Sequence, residues 1–111
     1  MIFNTSTNKI ISQKEIYCKT FLSQAFGLMF KGKKNLVMVF PEKICVSLHN
    51  FFVFYPIDVI LLDEKKRVVE IKRNFKPFTF WRSKEKGKYA LELAEFVAEG
   101  DISPGDIFEI Q

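Results

Sequence analysis

The sequence predicts a mainly β fold in a single domain spanning residues 1–111, a β-sandwich or open barrel with one or two short helices. Three observations carry that expectation. Short runs rich in Val, Ile, Phe and Tyr recur along the chain, separated by Pro, Gly, Asn or charged turns. The 111 residues leave room for one core and no second. With 48% hydrophobic and 27% charged residues, the composition is that of a folded globule rather than a disordered chain.

The elements follow from local pattern. Asn8-Lys9-Ile10-Ile11-Ser12-Gln13-Lys14-Glu15-Ile16-Tyr17-Cys18 holds two short β-branched pieces around a polar centre, which predicts a hairpin turning at Ser12-Gln13-Lys14. That turn lacks the Gly or Asn that tight hairpins favour. Phe21, Leu22, Ala25 and Phe26 form the apolar side of a short helix that Thr20 can cap and Gly27 can stop. Lys31-Gly32-Lys33-Lys34-Asn35 reads as a solvated loop. Leu36-Val37-Met38-Val39-Phe40 is a buried strand ended by Pro41-Glu42-Lys43, and Ile44-Cys45-Val46-Ser47-Leu48 is another.

The most apolar segment is Phe51-Phe52-Val53-Phe54-Tyr55-Pro56-Ile57-Asp58-Val59-Ile60-Leu61-Leu62-Asp63, with one carboxylate, Asp58, inside it. Proline cannot donate to a central ladder, so Pro56 marks a strand start, bulge or edge. Burying an ionised carboxylate costs several kcal/mol unless it is paired or hydrogen-bonded, so Asp58 needs a partner or an opening to solvent. Asp63-Glu64-Lys65-Lys66 is a turn, and residues 57–62 and 67–73 then form an antiparallel hairpin. Residues 74–88 read as a long connection carrying Phe75, Phe78, Phe80 and Trp81, a type of loop that is often functional. Tyr89-Ala90-Leu91-Glu92-Leu93 is a strand, Ala94 to Glu99 a short helix stopped by Gly100, and Ser103-Pro104-Gly105-Asp106 a turn into a last strand, Ile107 to Ile110.

Composition narrows the class further. No run reaches the ~18 uninterrupted apolar residues of a membrane helix, and the first eight residues lack an export signal's basic start and apolar run. A cytoplasmic protein that does not engage membranes is expected. Cys18 and Cys45 read as buried free thiols, and with His49 the only histidine no metal site and no cofactor are expected. Residues 65–88 carry ten Lys or Arg against Glu70 and Glu85, while residues 89–111 carry six acids and no base. Opposite charge on consecutive segments is most simply self-complementary, with the two pairing as neighbouring strands.

Four patches stand in a recognisable order: Phe26-Gly27-Leu28-Met29-Phe30; Met38-Val39-Phe40; Pro56 to Asp63 followed by Val68-Val69; and Tyr89 to Leu93 completed by Gly100 and Gly105-Asp106. Together they resemble a small prokaryotic family, domain of unknown function 192, from about residue 10 to the C-terminus. The resemblance implies a compact, mainly β fold with a small helix or two, and it brings no biochemical activity. Many bacterial members carry Trp-Met-Lys-Asn-Thr where this chain has His49-Asn50-Phe51-Phe52-Val53, which is similar to the archaeal branch. Many members are exported or anchored; without a signal here, those roles do not carry over. Pro-x-Asp is a pattern of the family, which gives Asp58 a defined local role.

Three functional readings follow. The first is a binding module for a polar ligand or a protein partner, with His49, Asn50, Asp58, Trp81 and Glu92 as candidate ligand-binding residues. Against it, Asp58 can simply accept backbone N–H bonds at a bulge or pair with an arginine. Glu92, set between Leu91 and Leu93, points away from their face and reads as a solvated position, or as part of a site with Asp58. The second is single-stranded nucleic-acid binding by residues 72–88, through Lys72, Arg73, Lys76, Arg82, Lys84 and Lys86 with the interleaved rings. Its counter-reading is a basic solvent-facing loop whose field the acidic C-terminal third cancels. The third is an enzyme using His49 and Asp58 as acid and base with Glu92 in support. A Ser47–His49–Asp58 triad lacks a nucleophile elbow, and Asp106 is a turn residue. A monomer or weak homodimer is expected.

Overall fold

A computed structural model describes residues 1–18, 35–49, 55–94 and 97–111. Within them lie β1 (Ile2–Asn4), β2 (Lys9–Ser12), β3 (Glu15–Cys18), β4 (Asn35–His49), β5 (Ile57–Leu62), β6 (Val68–Phe75), β7 (Phe80–Leu93), a 3-10 turn (Glu99–Asp101) and β8 (Phe108–Ile110). They build two sheets, a small one in the order β2-β1-β8 and a five-stranded one in the order β3-β4-β7-β5-β6. The mainly β expectation holds. The helix read at Thr20 to Gly27 lies outside the described residues. Ala98 is extended, so the second helix reduces among the described residues to the 3-10 turn Glu99–Asp101.

The chain changes sheet where a hairpin was expected. β2 pairs with β1, and β3 pairs in parallel with β4. Ser12 makes this corner. Its Oγ donates to the Glu15 carboxylate at 2.6 Å and accepts from Asn35 Nδ2 at 2.8 Å, which turns the backbone away from its own preceding strand. The corner also lacks the Gly or Asn that tight hairpin turns favour. The sequence pattern also missed β1, three residues long, which is the middle strand of the small sheet.

β4 and β7 decide the architecture. Pro41 was expected to end a strand, yet β4 runs through it as one 15-residue element, and β7 takes up most of the expected 74–88 loop, leaving a turn at 76–79. Fully extended, 15 residues would span about 50 Å, whereas the longest dimension of the molecule is 34 Å. Both strands must therefore bend. The register of the β4–β7 pair breaks between Val39 and Ile44. At the same level Lys88 Nζ donates to the carbonyls of Phe40 and Pro41, the latter at 2.9 Å. Gly87 faces Leu61, where an added Cβ would lie 3.3 Å from Cδ2. The distal halves, 44–49 of β4 and 80–87 of β7, form an arm folded back over the sheet. Glu70 of β6 meets it, its Oε1 accepting from Lys84 N and Glu85 N at 2.8 Å. The result is an open barrel capped on its outside by the small sheet.

Two apolar layers follow. Inside the curl, Leu36, Met38, Phe40, Val46, Ile57, Val59, Leu61, Phe75 and Ala90 pack together, with Leu48, Tyr55 and Trp81 against them. Between the sheets, Ile2, Ile11, Val37, Ile60, Leu62, Leu91, Leu93 and Phe108 form the second. The hairpin of β5 and β6 is as expected, as is the turn at Ser103 to Asp106, where Gly105 has a φ of 92° and Asp106 N donates to Ser103 O.

Candidate functional site

β7 is the middle strand of the large sheet, and from Ala90 to Leu93 both its faces are covered, so its alternation there sorts side chains between the two layers. Leu91 and Leu93 face the small sheet; Ala90 faces the inside of the curl. Glu92 has the parity of Ala90, and its cross-strand partners are Leu36 on one side and Val59 on the other, both in the inner layer. The expected direction is right, but the expected solvation is not: Glu92 is only 6% exposed. Burial pushes its carboxyl up to about 7. Among the described residues no hydrogen-bond donor or cation partners it. Continuing the row, Val59 pairs with Lys72, two strands from Glu92.

Trp81 belongs to the same inner layer from the opposite wall. It pairs with Leu48 on the arm and meets the Phe75 ring at 6.4 Å between centroids, tilted by 58°. Phe75 in turn pairs with Ile57 at the start of β5. The curl therefore sets one carboxyl from β7 and two aromatic rings, Trp81 of the arm and Phe75 of β6, along one apolar interior, the usual place for a ligand in a small barrel.

Asp58 does not join them. Its backbone pairs with Leu93, the parity opposite to Glu92, and its carboxylate is fully engaged elsewhere. Oδ2 accepts from Arg73 Nη1 at 2.9 Å and Oδ1 from Asn74 N at 2.9 Å. Arg73 Nη1 also donates to Val97 O at 2.8 Å. The register of β5 and β6 shifts at this point and Asn74 adopts a left-handed φ of 52°. Asp58 thus satisfies the N–H freed by a bulge and, through Arg73, ties down the chain that leaves β7. His49 pairs its backbone with Phe80 at the end of the arm; its side chain and Asn50 lie outside the described residues. Cys45 is a free thiol, half-buried rather than buried.

Of the basic residues, Arg73 is spent on Asp58 and Lys72 is half-buried, while Lys76, Arg82, Lys84 and Lys86 are exposed. Among the described residues, the acids of the C-terminal third do not pair with them. β8 pairs with β1 in the other sheet. Asp106 instead accepts from Asn4 Nδ2 at 2.8 Å and from Ser103 N at 2.9 Å. Among the described residues, the ion pairs involving 65–88 go to Asp58 and Asp63 and none to residues 89–111.

Two further polar residues hold turns, Asn4 in one that the sequence reading passed over and Asp63 in the turn it expected at 63–66. Asn4, fully buried, donates to Asp101 O and the Asp106 carboxylate and accepts from Ser6 N. Asp63 accepts from the backbone of Lys65 and Arg67 and from Arg67 Nε. Burial raises its carboxyl, but the hydrogen bonds from Arg67 and Lys65 outweigh that and hold it below its ordinary range. Asn-Thr-Ser-Thr and Asp-Glu-Lys-Lys are turn-like compositions, which was the available signal.

The order of the patches and the fold around them now meet direct comparison. The family DUF192, described as Uncharacterized ACR, matches residues 1–110. This chain belongs to the DUF192 family. The match takes in β1, ahead of the first residues that carry the resemblance. A UPF0127 protein of Pyrococcus horikoshii is 36% identical over 83% of this chain and 82% of its own length. One from Pyrococcus furiosus is 31% identical over 97% and 96%. These archaeal relatives agree with the branch that His49-Asn50 suggested. A solved structure from Sinorhizobium meliloti, titled a putative transcription regulator, superposes with a TM-score of 0.82 at 20% identity, covering 97% of this DUF192 chain and 88% of the other. At that identity the likeness is one of fold.

Proposed function

We propose that this chain is a small binding module whose ligand enters the mouth of the open barrel and meets Glu92. The observation that carries this reading is the carboxyl of Glu92, 6% exposed in an apolar layer and without a donor among the described residues. A buried carboxylate left without a donor destabilises a fold, and departures of this kind are expected at functional sites. The matching ligand presents an N–H donor or a cation to Glu92 and an apolar or aromatic body to Trp81, Phe75 and the aliphatic wall. This moves the centre of the expected site from Asp58, whose carboxylate is occupied, to Glu92, and keeps Trp81 in it.

Thermal denaturation at pH 8 with benzylamine, benzyl alcohol or benzoate tests the reading, since the three share a ring and differ in what they offer a carboxylate. Benzylamine is expected to raise the midpoint of the wild type and not that of Glu92→Gln, and benzoate to raise neither. Equal shifts with benzylamine and benzoate, or an unchanged response in Glu92→Gln, would exclude Glu92 as the anchor.

A further inference from the structure

The outer face of the arm carries a different signal from its inner face. In β7, Trp81 turns inward, while Phe80 and Arg82 turn outward, Phe80 being 65% exposed. Alternate residues of a strand stand about 6.6 Å apart on one face, so ring and guanidinium are neighbours. Beyond Arg82 the arm bulges: Ser47 pairs with Arg82 but Cys45 with Lys86, so Ser83, Lys84 and Glu85 stand opposite Val46 alone, two residues more than a regular ladder holds. This bulge is held from within. Ser83 Oγ accepts from Val46 N and donates to Glu85 O, and Glu70 takes the N–H groups of Lys84 and Glu85. Lys84 and Lys86 are left exposed beside Arg82, with Lys76 at the turn. Among the described residues none of these four cations has an ion pair; the acids nearest in sequence are Glu85 and Glu70, and the Glu70 carboxylate is taken up by the N–H groups of the bulge.

The turn leading into the arm adds a second ring. Lys76-Pro77-Phe78-Thr79 reverses the chain with Phe78 at a φ of 61°, a backbone conformation that bulky side chains rarely adopt and that Gly would adopt without strain. Phe78 is nonetheless 58% exposed. Backbone strain of this kind clusters at ligand-binding and switch sites.

We infer that the outer face of the arm binds single-stranded nucleic acid, with Phe78 and Phe80 stacking on bases and Arg82, Lys84, Lys86 and Lys76 meeting the phosphates. Duplex DNA turns its base faces inward and has no use for exposed phenyl rings, whereas a single strand offers both bases and phosphates. Among the described acids of the C-terminal third, which sequence placed beside this segment, Glu92 is buried, Asp106 is bonded to Asn4 and Ser103, and Glu109 lies on β8 in the other sheet.

Fluorescence anisotropy of labelled dT12 and of a 12-bp duplex, at 50 and 200 mM salt, tests the inference. Salt-sensitive binding of dT12, tighter than the duplex, is expected. Phe80→Ala should weaken it about 5- to 150-fold without altering the salt slope. The pair Arg82→Ala and Lys84→Ala should lower the slope by about 0.7 for each cation removed. Lys9→Ala, on the small sheet, should leave both unchanged. No binding of dT12 at 50 mM salt, equal or tighter binding of the duplex, or wild-type affinity in Phe80→Ala would each overturn it.

Discussion

At the scale of single residues, two carboxylates in neighbouring strands have opposite fates. Glu92 stands in the inner layer with its carboxyl raised from its ordinary 4.5 to about 7. The folded state therefore holds a proton that the unfolded chain releases between those values. The stability this gives is complete below pH ~4.5 and is lost as pH rises through about 7, a contribution on the order of 3 kcal/mol. Urea denaturation from pH 4.5 to 8 is expected to show that decline in the wild type and to lose it in Glu92→Gln, which should be the more stable protein at pH 8. A decline of equal size in both would place the effect on another group. Asp58 is instead a bonded anion, and its two acceptor oxygens serve different partners. Asp58→Ala should cost about 1.5–3 kcal/mol. Asp58→Asn, which keeps an acceptor for Asn74 N–H, should cost clearly less; equal losses would show that the bulge contact contributes nothing.

At the scale of elements, the bend of β4 and β7 carries the architecture, and Gly87 sits in it against Leu61. Its φ lies outside the left-handed region, so the constraint is space alone. Leu61 is fully buried and has little freedom to withdraw. Gly87→Val is therefore expected to cost about 1–3 kcal/mol by overpacking and Gly87→Ala less, measured by chemical denaturation. A neutral Gly87→Val would mean that the arm can lift from β5. At the turn the logic reverses: Phe78→Gly relieves a left-handed φ and should change stability by no more than about 1 kcal/mol. The pattern of residues showed where apolar strand segments lie but not where they join. Pro41 reads as a stop because proline removes a ladder donor. At this bend the β4–β7 register is already interrupted, so little of the ladder is given up. Residues 80–88 read as a loop because their outward positions are basic and the bulge at Ser83 to Glu85 breaks strict alternation.

At the scale of the whole molecule, two sheets and one curl separate three surfaces: an interior reached by Glu92 and Trp81, a layer between the sheets, and the basic outer face of the arm. No helix among the described residues is long and apolar enough to cross a membrane. The ties between the sheets are local and polar. Val68 N donates to Asp106 O, Gly105 N to Val68 O and Phe108 N to Lys66 O, so the β5–β6 turn and the C-terminal strand close on one another. This is why the last third, despite its charge, runs beside β1 rather than beside the basic arm.

The sequence by itself determined the class of fold, the β5–β6 hairpin, the terminal turn and the family, because each rests on local pattern or on the order of short patches. It also determined that Asp58 needs a partner, since burying an unpaired charge is costly wherever the chain puts it. Only the tertiary structure decided which carboxylate found one. Arg73 and Asn74 reach Asp58 through a bulge between strands, and both faces of β7 are covered only once β4 and β7 bend back over the sheet. A period-two pattern names the side of a strand on which a residue lies. Whether that side meets water depends on what the rest of the chain lays against it, and here that leaves Glu92 within the barrel.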